Sequence, residues 1–565
     1  MARFTLGGEV CVPSAGTTGI VTAENGHACK VFGRWYHEDE VDILPKKTLG
    51  FPRARSRKIS LLEGDLIPVA LRRSWLLGKN NGNPEDQYEF LEELGRGSFG
   101  LVRLVRPRFG EVSPSGRRME LLVCKVVDKQ KACGAAITED MIKGFREEIM
   151  LLQDLDHPNV NRLVEHFEDY KNMYIILGLA SGGDLEELIC WGTVDVNESL
   201  LACIFRQVLQ ATAYCHGKGV VHKDLKPDNV MFLKKDYVNP HVVVIDFGTA
   251  ELLKKHSSQF AGTPGYIAPE VWQSALGLGH FGPMCDVYSI GALLFYCLSE
   301  AELPWFRADT SGDFHRYAKK CLFVFKTRSI RQEFDGTFMG SPDARDLAVK
   351  MLCHSATERI SVDDALHHSW LKCCSTPEPV SESTLRALAR SSKKNKVKKR
   401  FLLEAAMQIP PSSLDQINST FKALDVACNG VLSIAELADG FHSLGMEPPV
   451  AEALAKSLDL DANGDVEYTE FLSALADHCA LQFEDALWTI FCKYDADRSG
   501  YIDLAELQAM LRHGHFESTG QDSTEEVAKR LLARMDTDGD RRVSFDELCA
   551  YLLADTVRTT SKVGA

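Results

Sequence analysis

The spacing of apolar and polar residues changes several times along the chain, and each change predicts a different kind of element. Near the start, the runs EVCVP, TGIVTAE, HACKVFG and EVDIL alternate with a period of two, which predicts short strands. The alternation returns in YEFLEELGRGSFGLVRLV, from Tyr88, on both sides of a group of glycines. From Asp425 onwards, helical patterns flank four acidic loops. We therefore predict a multidomain protein with an all-β start, an α+β middle and an all-α end.

The first 50 residues are predicted to form a small domain of their own. Asn25-Gly26 is a hairpin turn signal between two of the alternating runs, which favours an SH3-like β-barrel over roughly Leu6 to Leu44. A disordered or loosely packed extension is the alternative. Residues 51–87, which include the cationic run RARSRK, are predicted to be a solvated linker.

Composition narrows the class of protein. The chain has 565 residues, of which 45% are hydrophobic and 25% charged, as in ordinary globular proteins of several domains. No stretch reaches the roughly 20 apolar residues of a membrane helix. The 17 cysteines show no CxxC spacing, so neither a disulfide framework nor a zinc site is indicated. Because the start MARFTLGG has neither a signal-peptide pattern nor the Met-Gly of N-myristoylated proteins, we expect a cytoplasmic protein.

The net charge of −15 is spread unevenly. From Ser412 onwards, 28 acidic residues face 12 basic ones, so the excess of acid is confined to the C-terminal part. The densest cationic run, RSSKKNKVKKR from Arg390 to Arg400, lies directly before it. Such a run can bind nucleic acid or a membrane. Because an acidic partner follows in the same chain, we expect internal regulation and no nucleic-acid partner.

The glycine group at residues 95–100 has the form GxGxxG. Glycines there let backbone amides approach phosphate oxygens without a clash from Cβ. Because Leu104 continues a strand after the glycines, the pattern favours a phosphate-covering hairpin over the strand-to-helix turn of a dinucleotide-binding fold. The residues expected to contact the nucleotide from this hairpin are Leu94, Gly95, Arg96, Gly97, Ser98, Phe99, Gly100 and Val102.

Lys125 lies within the apolar run LLVCKVVDK, where an unpaired ammonium would be costly. It therefore needs anionic partners, and we expect ATP phosphates on one side. Glu148 in the helical run FREEIMLLQDL is the favoured partner on the other side, with Glu147 as the alternative.

Two further motifs carry the candidate catalytic chemistry. In VVHKDLKPDNVMF, Asp224 would accept the hydroxyl proton of a substrate, and Lys226 would neutralise the moving phosphoryl group. Asn229 in the same run and Asp246 in the DFG triplet would hold Mg²⁺. Together these residues predict phosphoryl transfer from ATP.

The four acidic loops begin at intervals of 34, 36 and 41 residues and are numbered loop 1 to loop 4. They fit the 12-residue EF-hand pattern, with oxygen ligands for Ca²⁺ at fixed positions and glycine at position 6. Loops 2 and 3, DLDANGDVEYTE and DADRSGYIDLAE, meet the pattern fully. Their expected Ca²⁺ ligands are Asp459, Asp461, Asn463, Asp465 and Glu470 in loop 2, and Asp495, Asp497, Ser499, Tyr501 and Glu506 in loop 3.

Loops 1 and 4 depart from this pattern. Loop 1 has Ala427 at position 3, which removes a carboxylate, so weak or absent Ca²⁺ binding is expected. Loop 4 has Arg541 at position 6, where a positive φ is wanted, at a cost of about 1 kcal/mol; Ca²⁺ binding is still expected there. The candidate ligands are Asp425, Asn429, Val431 and Glu436 in loop 1, and Asp536, Asp538, Asp540, Arg542 and Glu547 in loop 4.

A basic amphipathic helix is predicted before loop 1. Apolar residues with interleaved cations form the kind of surface that calmodulin-like lobes wrap. The apolar positions are Leu385, Leu388, Val397, Phe401, Leu402 and Leu403.

Residues 88–371, with HKDLKPDN, DFG, the triplet APE and a later arginine, resemble a eukaryotic Ser/Thr protein kinase, an α+β fold of two lobes. The resemblance implies that Asp184 and Asp228 face basic residues of peptide substrates, and we also count Asp184 among the candidate nucleotide contacts. It further implies that Glu270 and Arg359 form a buried ion pair.

Two positions depart from that family. The residue before Asp224 is Lys223 where the family has arginine, and lysine cannot make a bidentate contact with an activation-loop phosphate. Activation by loop phosphorylation is therefore less expected, with Ser257 and Ser258 as the remaining candidate sites. Gly178 replaces the hinge acid; because backbone groups hold adenine, we expect altered inhibitor sensitivity and retained ATP binding.

The order of a kinase (88–371), a basic junction (372–411), EF-hands 1 and 2 (412–477), EF-hands 3 and 4 (478–555) and a tail (556–565) is similar to the calcium-dependent protein kinases of plants and protists. The similarity implies that the junction helix covers the substrate cleft at rest and that Ca²⁺-filled EF-hand lobes capture it. We predict a calcium-activated Ser/Thr kinase for protein substrates with basic residues near the target. A calcium-responsive pseudokinase scaffold is the alternative.

Overall fold

A computed structural model gives the structure of the chain. The chain divides into two compact units, Met1–Lys58 and Ile59–Ala565. In the first unit the structure describes the backbone of residues 9–12, 17–25, 28–31, 34–37 and 42–43. In the second it describes residues 76–77, 80, 82–96, 100–108, 116, 120–132, 135–136, 138–191, 196–252, 261–303, 314–327, 334, 338–373, 380–512 and 524–553.

Five short strands of the first unit pair in an antiparallel fashion. They are β1 (Glu9–Val12), β2 (Thr17–Asn25), β3 (Ala28–Val31), β4 (Arg34–His37) and β5 (Asp42–Ile43). The order is β4-β3-β2-β1-β5, and the predicted hairpin turn falls between β2 and β3. The SH3-like barrel stays a prediction, because the side chains of this unit lie outside the described residues. So do residues 51–75 of the predicted linker.

The second unit begins with a twisted antiparallel sheet, in the order β11-β12-β8-β7-β6. Its alternating strands bury one face against a small cluster around Tyr88, Cys124 and Phe167, and the other against a helix, α2. A side-chain cap by Thr138 starts α2, which ends before His157-Pro158. The elements are α1 (Pro84–Gln87), β6 (Tyr88–Arg96), β7 (Gly100–Pro107), β8 (Leu122–Asp128), β9 (Lys131–Ala132), β10 (Ala135–Ala136), α2 (Glu139–Asp154), β11 (Leu163–Glu168) and β12 (Asn172–Gly178).

The end of the predicted linker packs on this sheet. Leu76 and Leu77 are buried in the core beneath α2, and Gln153 donates a hydrogen bond to the carbonyl of Leu77. Asn80 donates to Glu165 and bridges to Phe167. This short segment therefore belongs to the packed structure.

A helical lobe with two small hairpins follows. Helix α6 is apolar almost throughout, which is why twelve of its residues are buried at the centre of this lobe. Two two-stranded sheets, β13 with β16 and β14 with β15, flank the run that carries Asp224, which lies between β13 and β14. The elements are α3 (Leu185–Trp191), α4 (Glu198–Gly217), β13 (Val220–Val221), β14 (Val230–Phe232), β15 (Val242–Val244), β16 (Glu251–Leu252), α5 (Pro269–Ala275), α6 (Met284–Cys297), α7 (Phe314–Thr327), α8 (Pro342–Met351) and α9 (Val362–Leu366).

The remaining chain is helical and forms a second core. Its first two helices, α10 and α11, contribute to the same buried cluster as the EF-hand helices. Short strand contacts join loops 1 and 2 (β17 with β18) and loops 3 and 4 (Ile502 with Val543). The elements are α10 (Glu382–Ser391), α11 (Lys396–Ala406), α12 (Asp415–Leu424), β17 (Leu432–Ser433), α13 (Ile434–His442), α14 (Pro448–Lys456), β18 (Asp465–Val466), α15 (Tyr468–Ala474), α16 (Ala480–Tyr494), α17 (Leu504–Arg512), α18 (Thr524–Met535) and α19 (Phe545–Leu552).

The predicted junction helix is two helices. The helical conformation is interrupted between Ser391 and Lys396. The Asn395 side chain accepts a hydrogen bond from the Lys398 amide and so caps the start of α11. Both segments combine apolar residues with cations, which is why a single basic amphipathic helix was expected. Among the described residues, no helix combines the length and apolar character needed to span a bilayer.

Candidate active site and calcium sites

Lys125 on β8 lies at the centre of a charged group between the two lobes. Its ammonium Nζ is 2.7 Å from Glu148 Oε1 on α2 and 3.2 Å from Asp246 Oδ1. Of the two candidate glutamates, the structure therefore places Glu148 against Lys125. Burial opposes the charge on Lys125, but the two carboxylates outweigh it and raise the lysine pKa, so the ammonium stays charged. Burial likewise opposes the charge on Asp246, but Lys125 holds its pKa below the ordinary value.

Asp224 is held by a network that includes the other catalytic-loop candidates. The Thr263 hydroxyl donates to Asp224 Oδ1 at 2.6 Å, and Asn229 Nδ2 donates to the Asp224 carbonyl at 2.7 Å. Lys226 Nζ lies 3.4 Å from Asp224 Oδ2 and donates to the Thr263 hydroxyl at 3.2 Å. The structure thus brings together Asp224, Lys226 and Asn229, with Thr263 as the residue that orients them.

One residue that positions this loop was not predicted from the sequence. Asp286, fully buried on α6, accepts hydrogen bonds from the backbone amides of His222 and Lys223 at 2.9 and 2.8 Å. Burial opposes its charge, but the His216 side chain helps hold the pKa of Asp286 below its usual range. The available signal was its position as the sole charged residue in the apolar run of α6.

Only part of the glycine-rich hairpin lies within the described residues. A Cβ on Gly100 would lie 2.1 Å from the Val126 carbonyl oxygen, so β7 can approach β8 there only with glycine. Gly95 has open space around it, and Leu94 is half exposed beside it. Residues 97–99, which carry the predicted nucleotide contacts Gly97, Ser98 and Phe99, lie outside the described residues.

Gly178 ends β12 at the hinge between the lobes. A Cβ at this position would lie 3.2 Å from Asn161 Oδ1 and 3.7 Å from Arg162 Cγ. The glycine therefore leaves room for the Asn161 side chain, whereas Arg162 lies at an ordinary contact distance. The Arg162 guanidinium donates hydrogen bonds to the carbonyls of Met407, Gln408 and Ile409 after α11.

Lys223, which replaces the arginine of the kinase family, is buried and pairs with a carboxylate of the same chain. Its ammonium lies 3.1 Å from Glu251 Oε2 on β16 and 6.0 Å from the centre of the Phe281 ring. A carboxylate of the same chain therefore neutralises the position where the related kinases hold arginine.

An acidic patch lies beside the catalytic loop. Burial raises the pKa of Asp184, and the charges of Asp228, Glu187 and Glu186 raise it further. These four carboxylates therefore repel one another, and a cationic side chain placed among them would relieve that repulsion.

The predicted ion pair of the helical lobe forms. Arg359 is 5% exposed and binds Glu270 in a bidentate manner, with Nη1–Oε1 and Nη2–Oε2 distances of 2.6 and 3.0 Å. It also donates to the carbonyls of Met284 and Cys353. The pair fixes α5 and α6 beneath the active site.

All four EF-hand loops share one backbone conformation. Positions 4 and 6 have a positive φ in each loop, including Arg541 at 66° in loop 4. The residues at position 4 are Cys428, Ala462, Arg498 and Gly539, and those at position 6 are Gly430, Gly464, Gly500 and Arg541.

Three of the loops gather carboxylates around one point. In each group the ligand oxygens lie within 4.8 Å of one another, a donor set that suits a hard cation such as Ca²⁺. The Asn463, Ser499 and Asp540 side chains lie within their loops and hydrogen-bond there to Asp465, Tyr501 and Arg542. In loops 2, 3 and 4, the position 12 glutamates Glu470, Glu506 and Glu547 each accept from the position 2 amide of their own loop. The groups are Asp459, Asp461 and Glu470; Asp495, Asp497 and Glu506; and Asp536, Asp538 and Asp540.

Loop 1 brings together no such group among the described residues. Its Asp425 is 3% exposed and accepts from the amides of Asn429 and Gly430, and burial raises its pKa to about 6. Val431 donates its amide to Asn429, and Glu436 accepts from Ala427. Equivalent amide-to-carboxylate hydrogen bonds occur in the other three loops, so loop 1 differs from them in having Ala427 in place of the position 3 carboxylate.

The cations of α11 and the turn before it are bound by the EF-hand region. From EF-hands 1 and 2, Lys394 pairs with Asp477 at 2.9 Å, and Lys399 donates to the Ser457 carbonyl at 2.8 Å. From EF-hands 3 and 4, the Met510 carbonyl accepts from Arg400, which is fully buried and lies 3.3 Å from Glu404. The apolar Leu388, Phe401 and Leu402 are buried in the same cluster.

Comparison with known proteins agrees with this geometry. A family model described as a protein kinase domain matches residues 88–371, and one described as an EF-hand domain pair matches residues 414–476 and 484–553. The chain is 30% identical to calcium-dependent protein kinase 19 of Oryza sativa subsp. japonica, over 84% of this chain and 84% of that protein. It is 29% identical to calcium-dependent protein kinase 5 of Plasmodium falciparum, over 83% and 78%, and 27% identical to calcium-dependent protein kinase 10 of Arabidopsis thaliana, over 89% and 88%.

A two-lobed phosphotransfer site followed by paired EF-hands defines a protein kinase under calcium control. The chain belongs to the calcium-dependent protein kinase family. It is a calcium-activated Ser/Thr protein kinase that uses ATP and Mg²⁺, with EF-hands for Ca²⁺.

Proposed function

We propose that Asp224 accepts the proton of the substrate hydroxyl while Lys226 neutralises the phosphoryl group in transit. Lys125, held by Glu148, orients the ATP phosphates, and the oxygens of Asn229 and Asp246 hold Mg²⁺, which supplies charge neutralisation when bound. The single observation that supports these roles most strongly is the contact of Lys125 with both Glu148 and Asp246, because it aligns the two lobes.

We further propose that protein substrates carry basic residues near the target Ser or Thr. The mutual repulsion of Asp184 and Asp228 with the neighbouring Glu186 and Glu187 supports this preference. A cationic substrate side chain would be attracted over several ångströms and would lose that attraction at high salt.

The junction is proposed to be the switch. Its cations and apolar residues are bound inside the EF-hand region, which is the arrangement expected after capture. At rest, without Ca²⁺, the same basic segment covers the substrate cleft, where the acidic patch attracts it. Capture by Ca²⁺-filled lobes then frees the cleft.

Activation without phosphorylation of the activation loop is part of the proposal. Glu251 already supplies Lys223 with a negative charge at 3.1 Å, which is the role a loop phosphate plays in related kinases. A cytoplasmic location is proposed as well, since the twelve cysteines described as free thiols suit a reducing compartment.

Transfer of labelled phosphate from ATP to a basic peptide, with Ca²⁺ or with EGTA, tests the function. The parent chain should be active only with Ca²⁺, and Asp224→Asn should lose at least about 100-fold in kcat, the low end of general-base contributions. Asp236→Asn, the same change at an exposed turn, is the matched control and should keep its activity.

A calcium-responsive scaffold without phosphotransfer was the alternative. If Asp224→Asn is as active as the parent in Ca²⁺, then Asp224 is not the base. If the parent itself transfers no phosphate, the scaffold is favoured.

A further inference from the structure

EF-hands 1 and 2 lie against one surface of the kinase. We define this docking face by Asp156 and His157, between α2 and β11, and by Tyr214 and Lys218 at the end of α4. Gly430 of loop 1 approaches it so closely that a Cβ would lie 2.3 Å from His157 Cδ2. The docking face therefore fits the backbone of an EF-hand loop.

Asp156 makes the most specific contact. It is 6% exposed, and its carboxylate accepts the Thr469 amide at 2.8 Å and the Thr469 hydroxyl at 2.6 Å. Its own amide donates to the Tyr214 hydroxyl at 2.8 Å. A buried carboxylate is costly without such donors, so the contact favours docking only when Thr469 is in this position.

Lys218 makes the second contact. Its ammonium forms an ion pair with Glu467 and lies 5.6 Å from the centre of the Tyr214 ring. Burial opposes the charge on Lys218, but Glu467 outweighs it and raises the lysine pKa. Both side chains are partly shielded from water, which strengthens the attraction relative to a surface pair.

Both partners of the docking face belong to the ion-binding loop itself. In loop 2, Glu467 is position 9 and Thr469 is position 11, between the candidate ligands Asp465 and Glu470. Their positions are thus fixed by the closed form of the loop, in which the Glu470 carboxylate reaches back to the amides of Leu460 and Asp461.

We propose that the docking face recognises the Ca²⁺-bound form of loop 2, so that docking on the kinase and ion binding by EF-hand 2 reinforce each other. The proposal rests on the calcium switch described above and extends it: the kinase tunes the calcium sensitivity of its own sensor. Because thermodynamic linkage is reciprocal, docking must strengthen Ca²⁺ binding by the same free energy by which Ca²⁺ strengthens docking.

The test is direct measurement of Ca²⁺ binding to the full-length chain by equilibrium dialysis, together with the Ca²⁺ dependence of activity. The variants are Asp156→Asn and Lys218→Ala on the kinase, and Thr469→Val on the loop. Each should weaken the binding of one Ca²⁺ per chain by at least about fivefold, the low end of typical coupling between sites. The Ca²⁺ concentration for half-maximal activity should rise with it.

Lys235→Ala, the loss of an exposed lysine elsewhere on the kinase, is the matched control and should bind Ca²⁺ like the parent. Thr469→Val removes one hydroxyl with little change of shape, so it keeps the test decisive if a kinase-side variant folds poorly. Ca²⁺ isotherms of all three variants that coincide with the parent's would overturn the proposal. A parent that is not activated by Ca²⁺ at all would instead contradict the switch.

Discussion

Single residues explain where this chain departs from related kinases. Gly178 stands where an acid is expected, and it lies beside Arg162, whose guanidinium donates to three carbonyls after α11. Lys223 stands where an arginine is expected and is neutralised by Glu251. Neither departure removes a group that touches the reacting atoms.

The contact at the hinge leads to a prediction for Gly178→Glu. The new carboxylate would lie beside Arg162 and compete with the three carbonyls for its guanidinium. Hydrogen bonds from a charged donor contribute about 1.5–3 kcal/mol each. A net loss of about 1.4 kcal/mol would raise the Ca²⁺ concentration for half-maximal activity about tenfold. Kinase assays across a Ca²⁺ series, with the KM for ATP measured at saturating Ca²⁺, would check this.

Gly144→Glu places the same side chain at an exposed position of α2 with open space around it, and should leave the Ca²⁺ response unchanged. A response of Gly178→Glu that matches the parent's would show that Arg162 does not fasten the junction.

At the scale of elements, local motifs predicted most of the active site and the calcium loops. The catalytic run, the DFG triplet and the 12-residue loops place their chemistry within a few residues, so their geometry follows from local backbone rules. The break at Asn395 was missed because a side-chain cap is not visible in apolar spacing. The role of Asp286 was missed because its backbone donors lie 64 and 63 positions earlier in the chain.

The shared backbone of the four loops leads to a prediction for loop 4. Arg541 has a φ of 66°, which costs a non-glycine residue about 1–2 kcal/mol. Arg541→Gly should remove that strain and tighten Ca²⁺ binding by loop 4 about fivefold or more. Calorimetric titration of the full-length chain would measure the affinity.

Arg541→Lys keeps both the strained position and the positive charge, and should bind Ca²⁺ like the parent. If both variants bind alike, then the backbone of position 6 does not limit loop 4.

At the scale of the whole molecule, the kinase and the EF-hand region share buried surface. Leu403 and Met407 from the junction and Val431 from loop 1 belong to the kinase core cluster. Such contacts join residues hundreds of positions apart, so no sequence pattern could have predicted them. The docking face could not be predicted for the same reason, since Asp156 and Thr469 are 313 positions apart in the sequence.

Removal of all residues after Lys372 should therefore have two effects. The truncated kinase should be equally active in EGTA and in Ca²⁺, because the segment that covers the cleft is gone. It should also unfold at a lower temperature, since buried side chains such as Leu403 and Met407 contribute about 1.5–3 kcal/mol each. Peptide phosphorylation and thermal unfolding would check both effects. A truncated kinase that is folded but inactive would contradict activation by release of the junction from the cleft.

The full burial of Arg400 has one more consequence. Its helix is gripped by Ser457 from one EF-hand pair and by Met510 from the other, so neither pair can enclose the helix alone. When Ca²⁺ fills only one EF-hand pair, the contacts of α11 with the other pair do not form. We therefore expect activity to rise more steeply with Ca²⁺ than binding to a single EF-hand pair would give.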